Sequence, residues 1–165
     1  MDTTALATRL IRNFREVELE HFIREPRYDT QSARLAPGTV ARKLSASVDT
    51  LAPGRIACPY HFHHAQEEMF IVLEGAGTLR VAGQLLPLKP GDVVFIPPGP
   101  DYPHQIINSS EAPLLYLSIG TTDSPEICEY PDSGKYLATT SDGSGGVFDA
   151  LGRTAANLDY WDGES

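Results

Sequence analysis

Short apolar runs, each closed by a glycine or proline turn signal, fill the middle of the chain. Candidate strands occupy residues 39–51, 55–63, 68–73, 78–82, 84–88, 92–96, 104–108 and 114–119. Residues 78–81 alternate polar and apolar side chains, as a strand with one wet and one buried face requires. Short strands at this spacing predict an all-β sandwich or barrel. About eight strands would form a closed barrel or jelly roll wide enough for one small ligand.

The segments on either side of this region are more polar. We predict an N-terminal extension over residues 1–38, a barrel over residues 39–121 and a C-terminal extension over residues 122–165, which is loop-like and packs on the barrel or on a partner. In the first segment two interpretations stay open. Residues 14–20 could begin a strand, or one helix face could carry the apolar residues Leu6, Leu10, Ile11, Phe14 and Val17.

Charge and composition exclude several classes of protein. The net charge of −9 disfavours binding to nucleic acid or to an anionic membrane surface. No apolar run approaches the length of about 20 residues that a membrane span needs, and the first thirty residues lack a signal-like apolar block. The two cysteines, Cys58 and Cys128, are too few for a disulfide scaffold and predict reduced thiols in a cytoplasmic protein.

Four of the five histidines lie in two short stretches, one from His61 to His64 and one ending at His104. Alternate residues of a strand share a face, so His61 and His63 point together. If the faces of these histidines, Glu68 and His104 are all interior, then four ligand groups converge on one metal. His64 and Glu67 would face away, although Glu67 would replace Glu68 if its strand began one residue later.

The same alternation predicts the surroundings of the metal. Phe70 and Val72 share a face with Glu68, and Ile106 shares a face with His104, so these three side chains would line an apolar substrate chamber. Tyr102 lies in a proline-rich loop at the rim, where it could meet a substrate. No second reactive constellation is recognisable: the sequence has no Cys–His or Ser–His–Asp arrangement and no glycine-rich nucleotide loop.

The spacing of these residues closely resembles the two motifs of the cupin family. The first motif corresponds to Gly54, His61, His63, Glu68 and Gly75, and the second to Gly91, Pro97, Gly99, His104 and Asn108. The gap before His61 is one residue longer than the usual pattern, and the gap before His104 is four residues where two are usual. Residues 130–135 and 160–164 look like a subgroup of single-domain bacterial cupins without an assigned activity.

The resemblance implies a jelly-roll barrel, also called a double-stranded β-helix, that holds a metal through three histidines and Glu68. The donor set suits Fe, Mn, Zn, Ni, Co or Cu. We expect a metal-dependent enzyme of the dioxygenase, isomerase, decarboxylase or lyase type acting on a small organic molecule, with Glu68 as a candidate catalytic base. The alternative is a non-catalytic protein that binds or senses a small molecule. The resemblance also predicts a homodimer.

Overall fold

The computed structural model describes residues 2–141, 147–153 and 159–164. In this part of the chain one helix, α1 (Thr3–Leu10), precedes thirteen strands, so the all-β prediction is confirmed. The strands are β1 (Glu20–Arg24), β2 (Tyr28–Arg34), β3 (Leu44–Leu51), β4 (Phe62–His63), β5 (Glu68–Glu74), β6 (Gly77–Val81), β7 (Gln84–Leu88), β8 (Val93–Ile96), β9 (His104–Ile107), β10 (Leu114–Thr121), β11 (Glu126–Tyr130), β12 (Lys135–Ser141) and β13 (Val147–Arg153).

Antiparallel sheets form the two walls of a jelly roll. The larger sheet has six strands in the order β1-β2-β3-β10-β5-β8, and the smaller ones have the orders β7-β6-β9 and β13-β12-β11-β4. Two isolated bridges, Ile56 to Ile107 and His61 to His104, tie the segment that leads into β4 to β9. One core packs between the six-stranded and three-stranded sheets, and it contains Leu51, Phe70, Val72, Leu79, Val81, Leu88, Ile96, Ile106, Leu114 and Tyr116.

The N-terminal segment contains both a helix and strands. The sequence had left these two open as alternatives, and in the structure they occupy different residues of the segment. Helix α1 begins after Asp2, whose side chain accepts a hydrogen bond from the backbone N–H of Ala5 at 2.7 Å, which is a standard N-cap. The helix buries none of its residues and is too short and too polar to cross a membrane. Strands β1 and β2 follow, and β2 pairs with β3, so this segment extends the six-stranded sheet.

The C-terminal segment is not the loop that its polarity predicts. Strands β11, β12 and β13 pair in an antiparallel array, and β11 pairs with β4 through Cys128 to His63 and Glu129 to Phe62. The loop prediction was wrong here because pairing with a partner strand decides the conformation of a polar segment more strongly than its own composition does. As a consequence Phe62, on the outer face of β4, is only 7% exposed.

Candidate metal centre

Backbone pairing brings the predicted metal ligands together. His63 ends β4, Glu68 begins β5 and His104 begins β9, while His61 lies just before β4. His61 and His104 form an antiparallel bridge in which each backbone N–H donates to the carbonyl of the other residue, at 3.1 and 2.7 Å. All four side chains are at most 18% exposed, so they meet inside the jelly roll.

Three imidazoles converge on a single carboxylate oxygen. Oε2 of Glu68 lies 2.8 Å from Nε2 of His104, 3.5 Å from Nε2 of His63 and 3.7 Å from Nε2 of His61. Three nitrogen donors and one carboxylate in so small a buried volume are a donor set that divalent transition metals favour. Three of the predicted ligands, His61, Glu68 and His104, have donor atoms within 4.8 Å of one another and are close enough to share one ion, and His63 lies beside them.

The other nitrogen of each imidazole is held by a hydrogen-bond acceptor. Nδ1 of His61 lies 2.8 Å from the carbonyl oxygen of Pro59, and Nδ1 of His104 lies 3.2 Å from that of Tyr102. Nδ1 of His63 lies 3.2 Å from a carboxylate oxygen of Glu126. Since each acceptor favours a proton on Nδ1, each Nε2 carries the lone pair that a metal needs.

Two buried atoms of the cluster lack a hydrogen-bond partner. They are Oε2 of Glu68 and Nε2 of His104, and although they lie 2.8 Å apart, neither has a well-formed hydrogen bond among the described residues. With its proton on Nδ1, the His104 ring presents a lone pair to a carboxylate lone pair. Two buried acceptors that face each other are costly unless a positive centre binds both. The residues present therefore fit a metal cation.

The electrostatics of the cluster also suit a metal. Burial, followed by the neighbouring His104, lowers the pKa of His61 to about 4, so its ring is neutral at pH 7. Burial alone would raise the pKa of Glu68, but whenever the nearby imidazoles carry a proton toward it, a hydrogen bond from His104 and the positive charge of these rings hold that pKa below its usual value of 4.5. A neutral imidazole beside an ionised carboxylate is the protonation state in which both can bind a cation.

Glu126 is a functional residue that sequence reasoning missed. It is 5% exposed, and its carboxylate accepts hydrogen bonds from the backbone N–H groups of His64, Ala65 and Gln66 at 3.0, 2.9 and 3.0 Å, in addition to its contact with His63. These bonds fix the turn between β4 and β5, and therefore the relative positions of two predicted ligands. The sequence offered no signal for this contact, since Glu126 lies in the segment predicted to be a loop.

Replacing Glu126 with glutamine should weaken metal binding by about tenfold or more, the usual effect of losing a carboxylate that orients a ligating histidine. A glutamine side chain can accept with only one of its two terminal atoms, so some of the backbone donors would lose their partner. The matched control is Glu129→Gln on the same strand, because the Glu129 carboxylate is 44% exposed and pairs with His64. A chelator-competition titration measures both variants, and equal affinities for them would contradict this role of Glu126.

A thiol lies beside the histidines. Donor atoms of His61, His63 and Cys128 all lie within 4.8 Å of one another, as do those of His61, Glu68 and His104. Burial raises the pKa of Cys128 to about 11, so without a metal it is a neutral thiol. Both cysteines are free, as expected. The sequence did not indicate Cys128 as a possible ligand because strand β11, which brings it to His63, was not predicted.

A cavity of about 190 Å³ opens in front of the cluster. Phe70 and Ile106 line it, as predicted from strand alternation. Val72 lies deeper on the same strand face, 1% exposed in the core and outside the cavity lining. Tyr102 is 48% exposed on the rim loop and does not line this cavity either. His64 is half exposed and turned away from the cluster, where its Nε2 contacts Glu129 at 2.7 Å.

Part of the cavity wall is polar. It includes Asp49, whose carboxylate accepts a hydrogen bond of 2.6 Å from the hydroxyl of Ser47. Burial raises the pKa of Asp49 above its usual value, against the opposing effect of hydrogen bonds from Ser32 and Ser47. Asp49 is a second reactive group facing the same chamber as Glu68. Sequence analysis had found no such group, because nothing in the local pattern separates Asp49 from a surface aspartate.

Comparison with known proteins agrees with this fold. Residues 47–120 match the cupin domain family (Cupin_2). The crystal structure of a candidate sugar phosphate isomerase from Acidithiobacillus ferrooxidans superposes with a TM-score of 0.79 and 26% identity, covering 96% of this chain and 98% of that one.

Two curated relatives match over shorter regions. An uncharacterized protein of Methanocaldococcus jannaschii is 34% identical over 71 residues, covering 43% of this chain and 48% of the relative. Glucose-6-phosphate isomerase of Pyrococcus horikoshii is 27% identical over 92 residues, covering 48% of each chain. The chain thus spans about half the length of the curated relatives it matches.

An antiparallel jelly roll with a buried cluster of three histidines and a glutamate defines the class of protein, a cupin-type domain with a candidate metal site. Residues 47–120 match the cupin family and have a cupin-type fold, as the two sequence motifs predicted.

Proposed function

We propose that this protein is a metal-dependent isomerase that acts on a small phosphorylated sugar. The observation that carries the proposal is that Asp49 lines the same cavity of about 190 Å³ as His61, Glu68 and His104 of the histidine–glutamate cluster. Conversion of an aldose to a ketose needs a group that polarises a carbonyl and a group that moves a proton, with no second substrate. The similarity to a candidate sugar phosphate isomerase supports the same reaction class.

In this proposal the metal is a divalent transition ion, Fe, Mn, Zn, Ni, Co or Cu, and its ligands are His61, His63, Glu68 and His104. When bound, such an ion supplies Lewis-acid polarisation of a carbonyl oxygen. The apolar side chains of Phe70 and Ile106 exclude water from one side of the chamber. This exclusion strengthens every polar interaction that the substrate makes there.

Asp49 would move the proton. It would accept a proton from the carbon next to the substrate carbonyl and return it to the neighbouring carbon. The hydroxyl proton of the substrate passes to the former carbonyl oxygen, so substrate and product contain the same atoms and electrons. Because burial raises its pKa, Asp49 is a stronger base than an exposed aspartate. Glu68 would take this role only if it left the metal.

We also propose that the protein works in the cytoplasm as a homodimer. Strand β8 lies at an edge of the six-stranded sheet and exposes Val93 and Phe95 by 45% and 67%. Open edges of this kind are a liability that pairing with a second copy would cover.

Proton NMR in deuterium oxide tests the proposed reaction. Protein loaded with each candidate metal is mixed with a panel of aldose and ketose phosphates, and we expect interconversion together with deuterium uptake next to the carbonyl. Asp49→Asn should slow this reaction by about 10²- to 10⁴-fold, the usual contribution of a general base, with unchanged metal content. The rate should also fall as the pH drops through the raised pKa of Asp49, since a protonated base accepts nothing.

The matched control is Asp123→Asn, an exposed carboxylate between β10 and β11, which should react like the parent protein. Normal turnover by the Asp49→Asn variant would contradict the role given to Asp49. Tight sugar-phosphate binding without exchange or turnover under any metal would overturn the isomerase proposal and favour a non-catalytic binding or sensing protein.

A further inference from the structure

A row of side chains crosses the inner face of the six-stranded sheet, away from the metal ligands. The strand register pairs Phe70 with Ser118, Ser118 with Ser47, and Ser47 with Arg34. Paired residues on neighbouring strands project from the same face of a sheet. Since Phe70, Ser118 and Ser47 all line the metal chamber, Arg34 lies on the chamber's face of the sheet, at the far end of the row.

A larger cavity begins where this row ends. It has a volume of about 580 Å³, and both Arg34 and Arg42 line it. Ser47 and Ser118 line this cavity as well as the metal chamber, so the two cavities adjoin at the two serines. A ligand too long for the chamber would therefore reach Arg34 and Arg42 at its other end.

Neither of the two arginines is committed to a carboxylate in the part of the chain that the structure describes. The chain has 22 acidic residues against 13 lysines and arginines, yet among the described residues neither Arg34 nor Arg42 has an ion pair. Other arginines do pair, namely Arg15 with Glu74, Arg55 with Glu25 and Arg80 with Asp132. Two uncommitted guanidinium groups at one cavity favour an anionic ligand.

Three hydroxyl groups around the larger cavity are already engaged. Those of Thr39, Ser45 and Thr122 donate to the backbone carbonyls of other residues, at 2.6, 3.2 and 3.1 Å. The strongest donors left for an anionic ligand are therefore the two guanidinium groups. A phosphate monoester, with two negative charges and three acceptor oxygens, makes fuller use of two guanidinium groups than a carboxylate does.

An unpartnered hydroxyl faces the chamber from β2, four residues before Arg34. Oγ1 of Thr30 is buried without a hydrogen-bond partner, the residue is 7% exposed, and Thr30 lines the chamber with Glu68 and Asp49. Buried polar groups are nearly always satisfied, and an exception calls for an explanation. A hydroxylated ligand in the chamber would supply the missing partner.

We propose that Arg34 and Arg42 form a phosphate-binding subsite at the mouth of the metal chamber. The ligand is a phosphorylated sugar whose carbonyl end enters the chamber, and this identification of the sugar rests on the proposed isomerase function. Strands β5 and β2 are three strand spacings apart in the sheet order, about 14 Å. That separation suits an extended sugar phosphate held at both ends by side chains.

Titration of the metal-free protein with inorganic phosphate, followed by calorimetry, tests the subsite without any turnover. We expect saturable binding that Arg34→Gln and Arg42→Gln each weaken by about tenfold or more. Lys89→Gln is the matched control, since it removes the same charge from the turn between β7 and β8 and should bind phosphate like the parent. Circular dichroism of each variant verifies that it is folded.

The outcomes separate this inference from the proposed function. Loss of phosphate binding in both arginine variants, with no isomerisation by the parent protein, would keep the subsite and overturn the isomerase. No phosphate binding by the parent, or equal affinity in the arginine and Lys89 variants, would overturn the subsite whatever the activity. If both proposals hold, the arginine variants should raise KM for sugar phosphates and leave kcat and the reaction of unphosphorylated sugars little changed.

Discussion

Replacing His104 with alanine is expected to remove bound metal from the protein. His104 is 1% exposed, and its Nε2 is the nitrogen nearest to Oε2 of Glu68, at 2.8 Å. The change deletes one of four donors and leaves a carboxylate without its closest neighbour. Loss of a group that merely orients a ligand costs about 10- to 100-fold in affinity, so loss of the ligand itself should cost more than about 100-fold. Elemental analysis after dialysis, with chelator competition, measures the effect.

His64→Ala is the control for this experiment. His64 lies in the same histidine-rich stretch, but its side chain is 43% exposed and contacts Glu129 instead of the cluster. Its removal should leave metal content unchanged. His104→Gln, which keeps a polar side chain of similar bulk, separates loss of the ligand from loss of the fold. Full metal occupancy in a folded His104→Ala or His104→Gln variant would contradict the ligand assignment.

Strand alternation explains how much of this site could be predicted. Once residues 55–63, 68–73 and 104–108 are interpreted as strands, the two-residue period predicts interior faces for His61, His63, Glu68 and His104. The structure has all three Nε2 atoms within 3.7 Å of the Glu68 carboxylate. The same rule turned His64 outward. Alternation gives the face of a side chain but not its depth, which is why Val72 lies in the core instead of the cavity wall.

The groups that the sequence did not predict come from long-range pairing. Glu126 and Cys128 reach His63 only because β11 pairs with β4, and that contact spans more than sixty residues of chain. Asp49 faces the chamber because β3 pairs with β10, which in turn pairs with β5. Local sequence patterns do not determine which strands become neighbours, since pairing depends on the packing of the whole sheet. The candidate ligands lie in short motifs and could be predicted from the sequence, whereas the residues that support them could not.

Replacing Gly75, in the turn after β5, with alanine should destabilise the protein by about 4 kcal/mol or more, at the severe end of single substitutions. Gly75 has φ of +80°, and a Cβ there would lie 2.2 Å from the carbonyl oxygen of Pro113 and 3.1 Å from Cα of Leu114. Both of these atoms belong to the backbone. They cannot move aside as a flexible side chain would, so the chain itself must shift. Urea denaturation followed by circular dichroism measures the free energy of unfolding.

Gly83→Ala separates the steric contact from backbone strain. Gly83 has nearly the same φ, +75°, but a Cβ at that position meets nothing within 4 Å. It should therefore cost only the left-handed conformation of alanine, about 1–2 kcal/mol. Equal losses of stability in the two variants would mean that the close approach of the β5–β6 turn to Pro113 does not matter. A larger loss at Gly75 would show that the close approach of this turn to Pro113 and Leu114, where β10 begins, contributes to stability. The register of β10 against β5 and β3 then fixes Ser118, and with it the boundary between the metal chamber and the larger cavity.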